Sequence, residues 1–148
     1  PARSEIDSRE LLRSVAGQFE GQAVSSDKSV ILSSECRNIT FFSDSSILKR
    51  VLANLLKNAL EASQPGETVT LGCTADKGLI SLYVHNPSYI PRDIQLQLFN
   101  RSFSTKDEGR GLGTYSAKLL TETYLGGTIG FTSDPDSGTT FTVTLPRE

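Results

Sequence analysis

The pairs Ile47-Leu48, Val51-Leu52, Leu55-Leu56 and Ala59-Leu60 recur at intervals of three and four residues. That spacing predicts a long helix over about 45–62 with one face buried. Asp44 stands where the N-cap belongs, and Pro65-Gly66 ends the run. Asn54 and Asn58 interrupt the greasy pattern four residues apart, so they share one edge of the helix. Carboxamides fill a core poorly unless their hydrogen bonds are met. Two readings are open for the pair. It is a polar edge bonded to neighbouring backbone, or it meets a bound cation or phosphate.

The rest of the chain alternates helical and strand-like patterns around that helix. Residues 5–20, with Leu11, Leu12, Val15 and Phe19, predict an amphipathic helix. Val30–Leu32 and Ile39–Phe42 are short β-rich runs, and Glu67–Thr74 with Leu79–His85 predict a hairpin around Asp76-Lys77-Gly78. A long loop is expected over 86–110, carrying a short helical piece near Asp93–Phe99. Leu112–Leu125 predicts a last helix, stopped by Gly126-Gly127. Thr128–Thr132 and Thr139–Leu145 close the chain as paired strands about the turn 134–138. This order suggests an α+β, two-layer sandwich: one mixed sheet of about five to six strands, covered on one face by three helices. A single domain over 1–148 is expected, without an internal repeat.

Charge and cysteine content narrow the function. A net charge of -2 gives no electrostatic case for binding nucleic acid or an anionic membrane. No apolar stretch is long enough to span a bilayer. Cys36 and Cys73 are expected as free core thiols in a reducing compartment, with a disulfide the lesser alternative. No Cys/His spacing marks a zinc site, and one histidine with no readable Ser/His/Asp grouping argues against a nucleophilic hydrolase. No pair of carboxylates is set for acid–base work. The chain contains no Met, which suits either a piece of a longer protein or loss of an initiator.

Gly109-Arg110-Gly111-Leu112-Gly113-Thr114 is the strongest chemical signal downstream. Glycines let backbone approach an anion closely, and a helix start offers unpaired N–H groups at the positive end of its dipole. No strand directly precedes the cluster and its third glycine is misplaced for a dinucleotide fingerprint. A Walker-type loop is excluded, because Gly-Lys-Ser/Thr occurs nowhere. On spacing alone, a phosphate cradle and a plain turn are equally open.

The combination is more specific than its parts. Asn54/Asn58 on a helix, a long loop, the Gly109–Gly113 cluster and Gly138-Thr139-Thr140-Phe141 before a final strand resemble the ATP-binding domain of sensor histidine kinases. These are members of the GHKL, or Bergerat-fold, ATPases. The resemblance runs from about residue 7 to the end, and four of the family's five boxes fall in order. It implies that Asn58, with Asn54 beside it, holds Mg²⁺ and phosphate oxygens. Leu98–Lys106 looks like the phenylalanine box, with Arg101 and Lys106 implied to neutralise the triphosphate, or else to be solvated loop charges. Gly109, Arg110, Gly111, Leu112 and Gly113 match the second glycine box. Gly138 and Thr140 match the last, near the adenine, although a plain hairpin turn explains Gly138 as well.

The first glycine box departs from the family pattern Asp-x-Gly-x-Gly-Ile-Pro. Here the stretch is His85-Asn86-Pro87-Ser88-Tyr89-Ile90-Pro91. Anchored on Ile90-Pro91, His85 takes the Asp position and Pro87 and Tyr89 replace both glycines. Shifted by one residue, Asn86 takes it and Ser88 meets the first glycine. The shifted register is preferred, because an amide oxygen accepts from the adenine amine; His85 then faces the core or a neighbouring strand. Glu61, one turn after Asn58, is read as a surface acid.

The resemblance implies a domain that binds Mg²⁺ and ATP and donates the γ-phosphoryl group to a histidine on a separate dimerisation hairpin. It also implies a response regulator downstream and a cytoplasmic location, at the inner end of a membrane sensor. No such hairpin is expected before residue 7, so the chain would be incomplete as an autokinase. The short 88–110 segment resembles the lid of nitrogen-regulation kinases. Asn54 stands where hydrolysing relatives carry a water-activating acid, which favours kinase over hydrolase. Two alternatives stand beside this reading: a degenerate docking or signalling module, and a serine kinase of the anti-sigma-factor type.

Overall fold

The computed structural model describes residues 2–96 and 108–147, with side chains from Thr114 onward in the second segment. In chain order these form β1 (Ser4–Asp7), α1 (Ser8–Ser25), β2 (Ser29–Leu32), β3 (Thr40–Ser43) and α2 (Ser45–Ala62). Then come β4 (Thr68–Asp76), β5 (Leu79–Asn86), the short α3 (Arg92–Gln95), α4 (Glu108–Tyr124), β6 (Thr128–Asp134) and β7 (Gly138–Pro146).

The expected helix at the centre is α2. Asp44 is extended and its Oδ1 accepts from the Ile47 N–H at 3.0 Å, satisfying one unpaired donor of the first turn. Leu48, Val51, Leu52, Leu55, Leu56, Ala59 and Leu60 form the buried stripe that the spacing predicts. Each fully buried leucine contributes about 1.5–3 kcal/mol. Ser63 returns to extended geometry, and Gly66, at φ 90°, turns the chain toward β4.

Five strands form one mixed sheet in the order β2-β4-β5-β7-β6. β2 and β4 run parallel, joined through β3 and α2, and every other pair is antiparallel. The β4–β5 hairpin turns through Lys77 and Gly78, both at positive φ as a type I′ turn requires. Along β5 the burial alternates strictly, so one face of the sheet meets the helices and the other carries half-exposed Ser81, Tyr83 and His85. The expected architecture holds, with three long helices on the sheet.

Two boundaries differ from the sequence expectation. The first helix begins at Ser8 and reaches Ser25, because Asp7 caps it by accepting from the Glu10 N–H at 3.0 Å. Residues 4–7 are instead a strand that pairs antiparallel with β3 and buries Ile6 opposite Phe41. β3 therefore leaves the main sheet and belongs to a separate two-stranded one. A four-residue strand gives too little alternation to be distinguished from the helix it precedes.

Cys36, in the β2–β3 connection, and Cys73, on β4, are free, buried and 3.2 Å apart at Sγ. Burial, reinforced by the neighbouring thiol, pushes Cys36 up to about 12.

The Asp44 carboxylate also accepts from the Ala2 N–H at 2.8 Å. The Ile47 and Ala2 N–H groups hold its pKa below the usual 3.8. Its folded pKa is lower than its unfolded one, so its contribution is present above the unfolded value and is lost as pH falls through the folded value. Urea midpoints measured from neutral pH downward should therefore drop in the acid range below about pH 4. Asp44→Asn should start lower at neutral pH and lose less on acidification; equal slopes for both proteins would remove Asp44 from the account.

Candidate nucleotide site

The edge of α2 that carries Asn54 and Asn58 is half-buried. Asn58 donates from Nδ2 to Thr114 Oγ1 at 2.9 Å, and Thr114 lies buried on α4. This contact ties the two helices together and engages one N–H of the amide, turning its nitrogen toward α4. The acceptor oxygen of Asn58 is the hard, neutral kind of ligand that Mg²⁺ takes. Thr114 closes the cluster read in sequence but was given no role there. Glu61 is exposed, as expected.

The glycine cluster opens α4 from inside the helix. α4 begins at Glu108, four residues earlier than expected, so Gly109, Arg110, Gly111, Leu112 and Gly113 form its first turns. Helical periodicity could not show this, because glycine weakens a helix by about 1 kcal/mol relative to alanine and masks its start. The first-turn N–H groups of a helix lack intrahelical acceptors, which suits an anion there. Arg101 and Lys106 lie outside the described residues, as do residues 97–107 of the expected 88–110 lid. The short helix expected near Asp93–Phe99 is α3.

Strand alternation separates the two candidates of the departed box by face. Asn86 ends β5 on the face of Ile80, Leu82 and Val84 and is 3% exposed. His85 points from the opposite face, where its Nε2 lies 2.7 Å from the Ser137 carbonyl oxygen. A carbonyl only accepts, so Nε2 carries the proton. The same pairing places the two threonines of the last box on opposite faces. β7 sets Thr139 opposite Asn86 and Thr140 opposite His85. Thr139 is 1% exposed on the helix side, whereas Thr140 shares the outer face with His85. A period of two residues therefore takes His85 and Thr140 away from the Asn86 side and brings in Thr139.

Hydroxyl groups replace the missing glycines as the means of fixing the chain after Asn86. Ile90 N–H donates to Ser133 Oγ at 2.8 Å, and Thr139 Oγ1 donates to the Ser88 carbonyl at 2.7 Å. Ser133 Oγ and Thr139 Oγ1 are 2.7 Å apart. Each hydroxyl has one proton, so Ser133 donates to Thr139 and the chain runs one way from Ile90 to Ser88. Ser88 Oγ in turn donates to the Ala62 carbonyl at 2.9 Å, an unpaired acceptor at the end of α2. Gly138 completes the fit. It stands at φ 80°, and a Cβ there would come within 2.3 Å of the Asn86 carbonyl oxygen. The plain-turn reading of Gly138 thus misses a second demand, the close passage of 86–87.

Asn86 Nδ2 is the one buried side-chain polar atom without a hydrogen-bond partner among the described residues. Such an atom costs about 1–3 kcal/mol unless a ligand or water meets it. Asn58 and Asn86 therefore put carboxamides on the helix α2 and on the strand β5, on the helix-facing side of the sheet.

The family of histidine kinase-, DNA gyrase B- and HSP90-like ATPases has a sequence profile that matches residues 43–148. The chain belongs to this ATPase family. The Heme sensor protein HssS of Staphylococcus haemolyticus is 31% identical over 124 residues, 82% of this chain and 27% of the relative. HssS of Staphylococcus aureus is 31% identical over 129 residues, 85% of this chain and 28% of the relative. The chain thus spans little more than a quarter of the curated relatives it matches. Among solved structures, the catalytic domain of histidine kinase ThkA superposes with a TM-score of 0.88 at 24% identity, covering 99% of this chain and 97% of that one. The mycobacterial sensor histidine kinase MprB gives 0.78 at 23% identity, covering 98% and 97%. Both bear out the two-layer Bergerat architecture expected from sequence. Among the described residues no helix is long and apolar enough to cross a membrane.

Thr139 sits inside the hydroxyl chain and Thr140 outside it, which makes a matched pair. Thr139→Val should lower the unfolding free energy by about 1–3 kcal/mol, because it strands the Ser88 carbonyl and the Ser133 hydroxyl together. Thr140→Val should stay within about 0.5 kcal/mol of wild type. Denaturant unfolding of the two variants side by side checks the assignment, and equal losses would refute the one-way chain.

Proposed function

We propose that this chain is the ATP-binding catalytic domain of a two-component sensor histidine kinase. It binds Mg-ATP and donates the γ-phosphoryl group to a histidine on a separate dimerisation domain. The observation that carries the reading is the division of labour in Asn58, whose amide donor is held by Thr114. Asn58 and Asn54 would hold the metal end, and Asn86 would meet the base. Backbone N–H groups at the start of α4, over Gly109–Gly113, would receive phosphate oxygens, with Lys106 and Arg101 neutralising their charge. Mg-ATP supplies the transferable group and the cation that balances its charge. Phosphoryl transfer asks the protein mainly for positioning and charge neutralisation, so no nucleophile or base is needed from this chain. The phosphoacceptor hairpin, in the same or another protein, and a response regulator beyond it complete the partners. The location proposed is the cytoplasmic end of a membrane sensor.

A second reading, a non-catalytic signalling or docking module, is favoured by one observation. Pro87, Ser88 and Tyr89 occupy the stretch where relatives carry flexible glycines, and the hydroxyl chain pins it. Calorimetric titration with Mg²⁺ and a non-hydrolysable ATP analogue separates the two. Binding is expected, and Asn58→Ala should weaken it about tenfold or more by removing a ligand to a charged group. Absence of binding by the folded wild-type domain up to millimolar ligand would sink the kinase reading.

A further inference from the structure

Asn86 differs from the family's acidic residue in more than charge. A carboxylate at this position is an acceptor only. It matches the 6-amino group of adenine and opposes the 6-carbonyl of guanine or hypoxanthine. A carboxamide carries an acceptor and a donor about equally far from its backbone. Here Nδ2 is buried and unpartnered, and no described hydrogen bond fixes which way the amide faces. Its surroundings do not choose for it. The facing Thr139 hydroxyl is already committed, receiving from Ser133 and donating to the Ser88 carbonyl. The Asn86 carbonyl oxygen lies against Gly138, and the backbone beyond it is held by Ser88 on α2. The backbone at Asn86 is thus held in place, while no described hydrogen bond sets the polarity of its amide.

We infer that Asn86 makes the site a reader of 6-oxopurine as well as 6-aminopurine nucleotides. With adenine, Oδ1 accepts from the 6-amino group and Nδ2 donates to the adjacent ring nitrogen. With hypoxanthine or guanine the amide turns over. Nδ2 then donates to the 6-carbonyl and Oδ1 accepts from the adjacent ring N–H. Either base satisfies the stranded donor, so neither is excluded. This is the two-point recognition by which carboxamides read purine edges, with a discrimination between right and wrong bases of about 1–3 kcal/mol. The inference rests on the nucleotide-site reading above.

The test is a set of dissociation constants for the Mg²⁺ complexes of ATP, ITP and GTP, measured by calorimetry on the whole chain. ITP is the decisive probe, because it carries the 6-carbonyl without the extra 2-amino group whose accommodation is a separate, steric matter. In the wild-type protein ITP should bind within about tenfold of ATP. Asn86→Asp restores an acceptor-only group and should widen the ITP-to-ATP ratio by about tenfold or more, mainly through loss of ITP. Wild-type binding of ATP with ITP weaker by more than about a hundredfold would overturn the inference and leave the nucleotide site intact. An unchanged ratio in folded Asn86→Asp would overturn it as well. Failure of all three nucleotides to bind folded wild-type protein would overturn the nucleotide-site reading, and this inference with it. The wild-type ratio needs no variant, so a poorly folding Asn86→Asp does not remove the test.

Discussion

The packing of α2 on the sheet is the constraint from which the rest follows. Seven buried side chains on one stripe fix its rotation about its own axis. Once that angle is set, Asn54 and Asn58 must lie on the shoulder that meets α4, and Asn58 finds Thr114 there. The end of the same helix presents the Ala62 carbonyl, which anchors Ser88 and so the segment after β5. One hydrophobic stripe thereby positions both Asn58 and the segment after Asn86, the two ends of the candidate site. Both depend on burial that happens between them.

Much of this was legible in the chain. The α2 boundaries followed from a cap, a period and a Pro-Gly stop, three signals that agree. The sheet and its hairpins followed from alternation and turn residues. What was not legible had local causes. β1 is four residues long, too short to show a period of two. The start of α4 is rich in glycine, which erases the helical signal where it matters. At the site, residue types were readable but their direction was not. A strand makes neighbours face opposite ways, so His85 stayed beside the preferred Asn86, and Thr140 was named where Thr139 faces the helices. The Ser133 link lies in β6, the strand before the last hairpin turn, and has no sequence mark at all.

The first glycine box shows how a family site can keep its shape with different chemistry. Glycines allow backbone to approach a base but hold nothing in position. Here Pro87 restricts the backbone, and the hydroxyls of Ser88, Ser133 and Thr139 tie it to α2 and to the β6–β7 pair. Permissiveness has been exchanged for rigidity on one side of the site. On the other, three glycines within the first turns of α4 leave the phosphate side low in helical propensity.

The paired thiols lend themselves to a different use. Cys36 and Cys73 are sealed where the β2–β3 connection crosses β4, and Cys73 pairs with Leu82, four residues along β5 from Asn86. A thiol reagent reaches them only when that crossing lifts from the core. Their alkylation rate is therefore a clock for opening of the fold, built into the native sequence and read without any label. Because neither sulfur belongs to the candidate site, that clock should keep time for the scaffold and stay silent on which base the site holds.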